Sequence, residues 1–249
     1  MPAHEPIYPA EPALGVLLEQ LCAELSGEEA CPREVRPAVL QTCLFELPVI
    51  SSCFTGLFLA LTLRLPGLAK WGWATGFAGI MLAAMCGALR FLLVGIGADA
   101  SAAVNAHQTA TFLAEFFSLW GFGLGAVGIM HSPFAQTVKK NVVVVLLVVL
   151  AVALVAIAVE TPMVSHVPII LLILAGGWSQ RQSLRGIAMI LGVVCMAVAP
   201  EAGKAGTSML LGFSDVDVIH LFLSAGLLCF AATLSLSPAA GSREGKKGQ

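Results

Sequence analysis

Polar side chains interrupt this chain only at long intervals, and between the interruptions it is apolar on every side. Seven such runs stand out, over 38–62, 72–95, 107–130, 141–159, 164–180, 184–200 and 216–236. A bilayer core takes about 20 apolar residues in helical form, and a helix apolar all round belongs in a membrane or a large core. The pattern therefore predicts an all-α polytopic membrane protein, a bundle of seven transmembrane helices. The surest span is the fourth, because no side chain from Val142 to Val159 carries a polar atom. The fifth and sixth runs are short, and Pro162, Pro168 and Pro200 fray their ends. They read as two thin or tilted spans, with a re-entrant pair as the alternative. Arg181, Gln182 and Arg185 between them need water, which favours the spans.

Ahead of the first run, residues 13–25 (ALGVLLEQLCAEL) place Leu14, Leu17, Leu18, Leu21 and Leu25 largely on one side of a helix. This pattern predicts a short amphipathic helix against the membrane surface or capping the bundle. The first twelve residues hold Glu5, Glu11 and several prolines rather than a basic stretch followed by an apolar core, so no signal peptide is expected. Three regions follow: an acidic extramembrane segment over 1–37, the helical membrane domain over 38–237, and a basic tail over 238–249.

Composition agrees with the pattern. Hydrophobic residues make up 58% of the 249 and charged residues 11%, against about 25% charged in soluble domains. So little charge cannot wet a globule of this size, and the outer surface must face lipid. The net charge of −2 gives no reason to expect a nucleic-acid partner. Seven cysteines occur without a Cys-x-x-Cys pair, which removes zinc-ribbon and thioredoxin-like readings. Cys22 and Cys31 could pair on an oxidising side; the sequence leaves that open.

Orientation follows from lysine and arginine. The amino-terminal side has Arg33, Arg36 and Lys204; the opposite side has Arg64, Lys70, Lys139, Lys140, Arg181, Arg185, Arg243, Lys246 and Lys247. The amino terminus is expected outside or lumenal and the carboxyl terminus cytoplasmic. Trp71 and Trp73 at the start of the second span, and Trp178 at the end of the fifth, are expected as interfacial anchors.

With the direction set, the rise of about 1.5 Å per residue gives depth. Glu46, Arg90, His107, Glu115, His166, Asp215, Asp217 and His220 all fall in the outer half of the bundle or at its mouth. Charged groups at such depth cost about 2.5–3.5 kcal/mol on insertion scales, so they pair inside the bundle and often mark function. Arg90 is expected to pair with Glu115 or Glu46, either as a lock between spans or as part of a functional site. His107 and His166 read as helix-mouth residues, His131 as loop and His4 as tail. Asp215 or Ser214 suits an N-cap. Asp217 and His220, three apart, share one helical face, a spacing that fits a shared metal or a carboxylate-oriented imidazole.

Other signals reduce to packing. GLGAVG at 123–128 lies in mid-helix with no strand before it, so it is no phosphate turn. Gly121, Gly123, Gly125 and Gly128 instead predict close approach of the third span to a neighbour, as Gly72 and Gly76 do for the second. Ser51, Ser52 and Thr55 are expected to satisfy carbonyls freed by Pro48.

The start of the last span resembles the CREST-like superfamily, which includes alkaline ceramidases and the progestin/adiponectin-type receptors. Phe213, Ser214, Asp217 and His220 match its aromatic-then-polar run, and Gly87 and Ala88 sit where its members have a small-residue step. The resemblance implies seven spans with an external amino terminus. For its enzymes it implies zinc held by three histidines, with metal-bound water cleaving lipid amides. In this chain Arg90 stands near the place of the span-two histidine, and Asp215 or Val216 at that of the first terminal histidine, while His220 matches.

Two functional expectations result. The favoured one is a non-enzymatic multi-pass protein (receptor-like, transporter-like or scaffolding) whose outer polar cluster is an ion-pair network or a pocket for a small molecule or lipid, with no cofactor. The alternative is a diverged lipid-amide hydrolase with zinc at His220 and Asp217, completed by Glu115 or His107. The bilayer is a partner either way. Lys246 and Lys247 resemble a dilysine signal, which implies the endoplasmic reticulum membrane in a eukaryote; otherwise the plasma membrane is expected.

Overall fold

The computed structural model describes residues 36–130, 133–141, 143–144, 147–148, 151, 167–204 and 215–236. The amphipathic segment over 13–25, Cys22 and Cys31, His4, His131, His166, Phe213 and Ser214, most of 141–159 and the tail with Lys246 and Lys247 lie outside these residues. Within them the chain forms seven helices and no strands: α1 (Arg36–Thr62), α2 (Gly67–Ile96), α3 (Ser101–Ile129), α4 (Pro133–Lys140), α5 (Val167–Ser179), α6 (Leu184–Lys204) and α7 (Asp215–Ser235). Five of them, α1, α2, α3, α6 and α7, are long and apolar enough to cross a membrane.

The long helices pack as a ring: α1 on α2, α2 on α3, α3 on α5, α5 on α6, α6 on α7, and α7 back on α1. Apolar side chains face both ways. On α1 the inner stripe is Thr42, Glu46, Val49, Cys53 and Ala60, and the outer stripe is Leu44, Leu47, Phe54 and Phe58. A water-facing helix would carry its polar residues outside; α1 carries three of them, Thr42, Glu46 and Ser52, inside. At the centre, Trp73, Phe77, Phe122 and Phe230 form one aromatic cluster, with ring centroids 4.9 to 6.2 Å apart.

Trp73 is thus no interfacial anchor. Two residues turn a helix through about 200°, so Trp71 and Trp73 cannot share a face. Trp71 remains exposed and Trp73 is fully buried. Trp178 is exposed as expected and carries the Arg181 guanidinium 4.9 Å above its ring. The glycines of α2 and α3 do form a seam. A Cβ on Gly121 would lie 2.7 Å from the Gly72 carbonyl oxygen and 2.6 Å from the Gly76 nitrogen. A second seam joins α6 to α7, where Gly192 and Gly226 face each other's carbonyls.

Helix ends differ from expectation for physical reasons. Pro200 lies inside α6 and does not end it. Pro48 deprives the Leu44 carbonyl of its usual donor, yet the nearby hydroxyls serve other carbonyls. Ser51 Oγ and Ser52 Oγ donate to Pro48 O at 3.0 and 2.7 Å, and Thr55 Oγ1 donates to Ser51 O at 2.9 Å. This is the ordinary back-bonding of helical serine and threonine. Lys139 on α4 donates to the Met130 carbonyl at the end of α3 (2.9 Å), and burial pushes its ammonium pKa down.

α2 ends in a left-handed residue, Gly97 (φ 75°). The Gly97 N–H donates to Val94 O and the Ala98 N–H to Leu93 O, at 3.0 and 2.9 Å, the paired bonds of a Schellman ending. A Cβ here is strained by about 1–2 kcal/mol, and its nearest neighbours would be atoms of the flexible Arg36 guanidinium rather than backbone. Gly97→Ala should therefore destabilise the protein by about 1 kcal/mol in thermal unfolding.

Candidate functional site

Four helices bring polar groups to one end of the bundle, where α1, α3 and α7 begin and α2 finishes. Glu46 on α1 is 2% exposed, and its Oε1 lies 3.2 Å from His220 Nε2 on α7. One turn nearer the end, Gln41 Nε2 donates to Asp217 Oδ2 at 3.0 Å. These two bonds tie α1 to α7 and close the ring. Asp217 is itself buried, and His220 Nδ1 is buried on the side of the Val216 carbonyl without a full hydrogen bond to it.

α2 contributes by what it lacks. A Cβ on Gly87 would run into the Glu46 carboxylate and would lie 3.1 Å from His107 Nε2. Glycine at 87 thus leaves room for a carboxylate from α1 and an imidazole from α3 to meet over the α2 backbone. Cys43 Sγ adds a bond from α1 to the Ala88 carbonyl at 3.3 Å.

Arg90 enters the cluster through His107: its Nη1 is 3.2 Å from His107 Nδ1. A guanidinium has no acceptor, so Nδ1 accepts this bond. In the neutral ring the proton then sits on Nε2, the nitrogen facing Gly87 and Glu46. Phe91 flanks both groups, with its ring centroid 6.2 Å from that of His107 and 5.2 Å from Arg90 Cζ.

The expected site residues therefore divide. Glu46, Arg90, His107, Asp217 and His220 come together. Glu115 does not: eight residues beyond His107 on α3, it is about 12 Å further along the helix axis, exposed, and on the wall of a separate cavity. Of the two partners expected for Arg90, Glu115 or Glu46, Glu115 lies out of reach, and Arg90 joins the cluster that holds Glu46 through its bond to His107. Sequence reasoning missed Gln41, whose only signal is a position five residues before Glu46.

No group of three or more His, Cys, Asp and Glu side chains among the described residues takes up metal-binding geometry. His220 Nε2 already meets Glu46, and the Arg90 bond puts the His107 proton on Nε2. These residues do not supply the three-histidine donor set implied by the resemblance.

The loop from α2 to α3 carries a pH-sensitive cap outside the spans. Asp99 Oδ1 accepts the Ser101 N–H at 2.9 Å, and this bond holds the Asp99 carboxyl below its usual pKa. A carboxyl with a lowered folded pKa stabilises above its unfolded value, and the effect fades as pH falls through the folded one. The first turn of α3 should therefore fray below about pH 4. Amide exchange at Ser101 checks this: protection should fall with acid in the native chain and be low at all pH values in Asp99→Ala.

Comparison with protein-family models, with curated proteins and with solved structures gives no match in any of the three. Fold and site thus rest on the chain's own physics. Among the described residues, the five long apolar helices are compatible with a multi-pass membrane protein.

Proposed function

We propose that the protein is a non-enzymatic, transporter- or receptor-like membrane protein in which the Glu46–His220 pair is a proton-sensitive clasp between α1 and α7. The observation that carries this reading is the pair itself: a fully buried carboxylate against an imidazole, joining the first and last described helices. Ionisable groups at membrane depth face the bundle interior and mark ion or proton pathways. Histidine is the side chain whose ordinary titration lies nearest neutral pH. A proton gained or lost between Glu46 and His220 would change the attraction that closes the ring.

The full topology belongs to the same proposal: seven spans, the amino terminus outside or lumenal, the carboxyl terminus cytoplasmic. Two features support it. The contacts of α5 with α6 and of α6 with α7 are antiparallel, so α5 runs parallel to α3, as it would if the apolar residues 142–159 formed a further span between them. Arg64, Lys70, Lys139, Lys140, Arg181 and Arg185 also gather at the end opposite the cluster, the bias of a cytoplasmic face. In a eukaryotic source Lys246 and Lys247 would direct the protein to the endoplasmic reticulum membrane.

Infrared difference spectra of the nanodisc-embedded protein across the neutral range test the clasp. The expected result is an imidazole band that disappears in His220→Gln and moves in Glu46→Gln and in Gly87→Ala, which crowds the pair without removing either of its groups. An unchanged spectrum in Glu46→Gln would sink the proposal.

A further inference from the structure

A cavity of about 350 Å³ opens inside the ring, walled by α2, α3, α5, α6 and α7. Its volume is at the small end of the range for small-molecule sites, about 300–1,000 Å³. Its walls are almost wholly apolar, with Ile80, Ile173, Met196, Leu223 and Phe230 among the lining side chains. The polar exceptions all come from α3: Thr111, Glu115 and Ser118, whose four- and three-residue spacings put them on one face.

Glu115 is the unexplained group. Among the described residues it is the only charged one on the cavity wall, and it falls near the middle of a span that runs from Ser101 to Ile129. Among the described residues it has no ion-pair or hydrogen-bond partner. The side chains of 142–159 carry no polar atom with which to supply one. Ser118 Oγ, buried against Gly79, also lacks a partner among the described residues. A carboxylate at mid-membrane needs a counter-charge; here the cavity leaves room for one to arrive from outside the chain.

We infer that this cavity binds a lipophilic amine, a protonated amino head at Glu115 with an apolar tail against the α2, α5, α6 and α7 wall. The head donates to the Glu115 carboxylate, with the Thr111 hydroxyl one turn away. The site adjoins the polar cluster without being part of it. Gly87 and Ala83 on α2, His107 and Thr111 on α3, and His220 and Leu223 on α7 are each one turn apart, the first of each pair at the cluster and the second on the cavity wall. An occupant therefore lies about 5–6 Å along the helices from the clasp. The binding inference does not depend on that clasp.

The test is equilibrium binding of tritiated dodecylamine to the full-length protein in nanodiscs, corrected for empty nanodiscs. A saturable component of one per chain is expected, with dodecanol competing at least tenfold more weakly and dodecanoate not competing. Glu115→Gln, at an exposed site, should lower affinity at least tenfold while melting like the native protein. Ala197→Phe, filling the cavity from α6, should abolish binding. Glu46→Gln should retain it, which separates this inference from the clasp. Absence of a saturable component, equal competition by dodecanol, or unchanged affinity in Glu115→Gln would each overturn it.

Discussion

His220→Ala is expected to lower the stability of the protein by about 2–3 kcal/mol, and the double replacement Glu46→Leu with His220→Leu to restore most of the loss. Two magnitudes bear on this. Breaking a buried ion pair by removing one partner costs about 3–5 kcal/mol in soluble proteins, because the other charge stays buried and alone. Polar pairs between membrane helices average only about 0.6 kcal/mol in double-mutant cycles, because the unfolded chain in the membrane also finds partners. The first figure describes an orphaned group and the second a net interaction. At 2% exposure Glu46 has no route to water once His220 is gone, so the orphan cost dominates, tempered by the membrane reference state and by the His107 Nε2–H on its other side. Removing both groups leaves nothing to orphan. Detergent-titrated unfolding of the three proteins measures the effect; a double variant as unstable as the single one would show that the pair is worth its full Coulombic attraction.

This division also explains what could be read from the sequence. Depth is encoded in one dimension: the helical rise alone puts Glu46, Arg90, His107, Asp217 and His220 at one level, and they do meet there. Azimuth is not so encoded, since it depends on which helix is the neighbour. Glu115 is only eight residues from His107, close enough in depth to seem a partner, yet it faces the cavity. Gln41 becomes visible only once α1 is known to lie against α7, a pairing 176 residues apart in the chain. Trp73 shows the same limit. Its depth suits an anchor, but its face belongs to the aromatic core, with Phe122 at 5.6 Å. The glycine pattern was more legible, because a four-residue repeat of small residues specifies both a face and a close neighbour.

That legibility makes the glycine seam the other place where a single atom should matter most. Gly121→Ala is expected to destabilise the protein by about 2 kcal/mol or more, against a neutral or slightly stabilising Gly67→Ala. On propensity alone alanine would favour either helix by up to about 1 kcal/mol. At Gly67 nothing lies within 4 Å of the added Cβ, so propensity acts unopposed. At Gly121 the new atom meets the Gly72 oxygen, the Gly76 nitrogen and the Gly76 Cα at 2.6 to 3.0 Å. All three are backbone atoms, and no rotamer change can move them. The helices must separate, and overpacking of this kind costs about 1–3 kcal/mol before any contact is lost. Separation also loosens Phe77 from Phe122, whose rings stand edge-on at 5.1 Å across the same interface; such pairs are worth about 0.5–1.5 kcal/mol beyond burial. Packing loss therefore exceeds the propensity gain. Unfolding curves of the two alanine variants should move in opposite directions or, at the least, differ by that margin; equal stability would mean that α2 and α3 are not held at backbone contact.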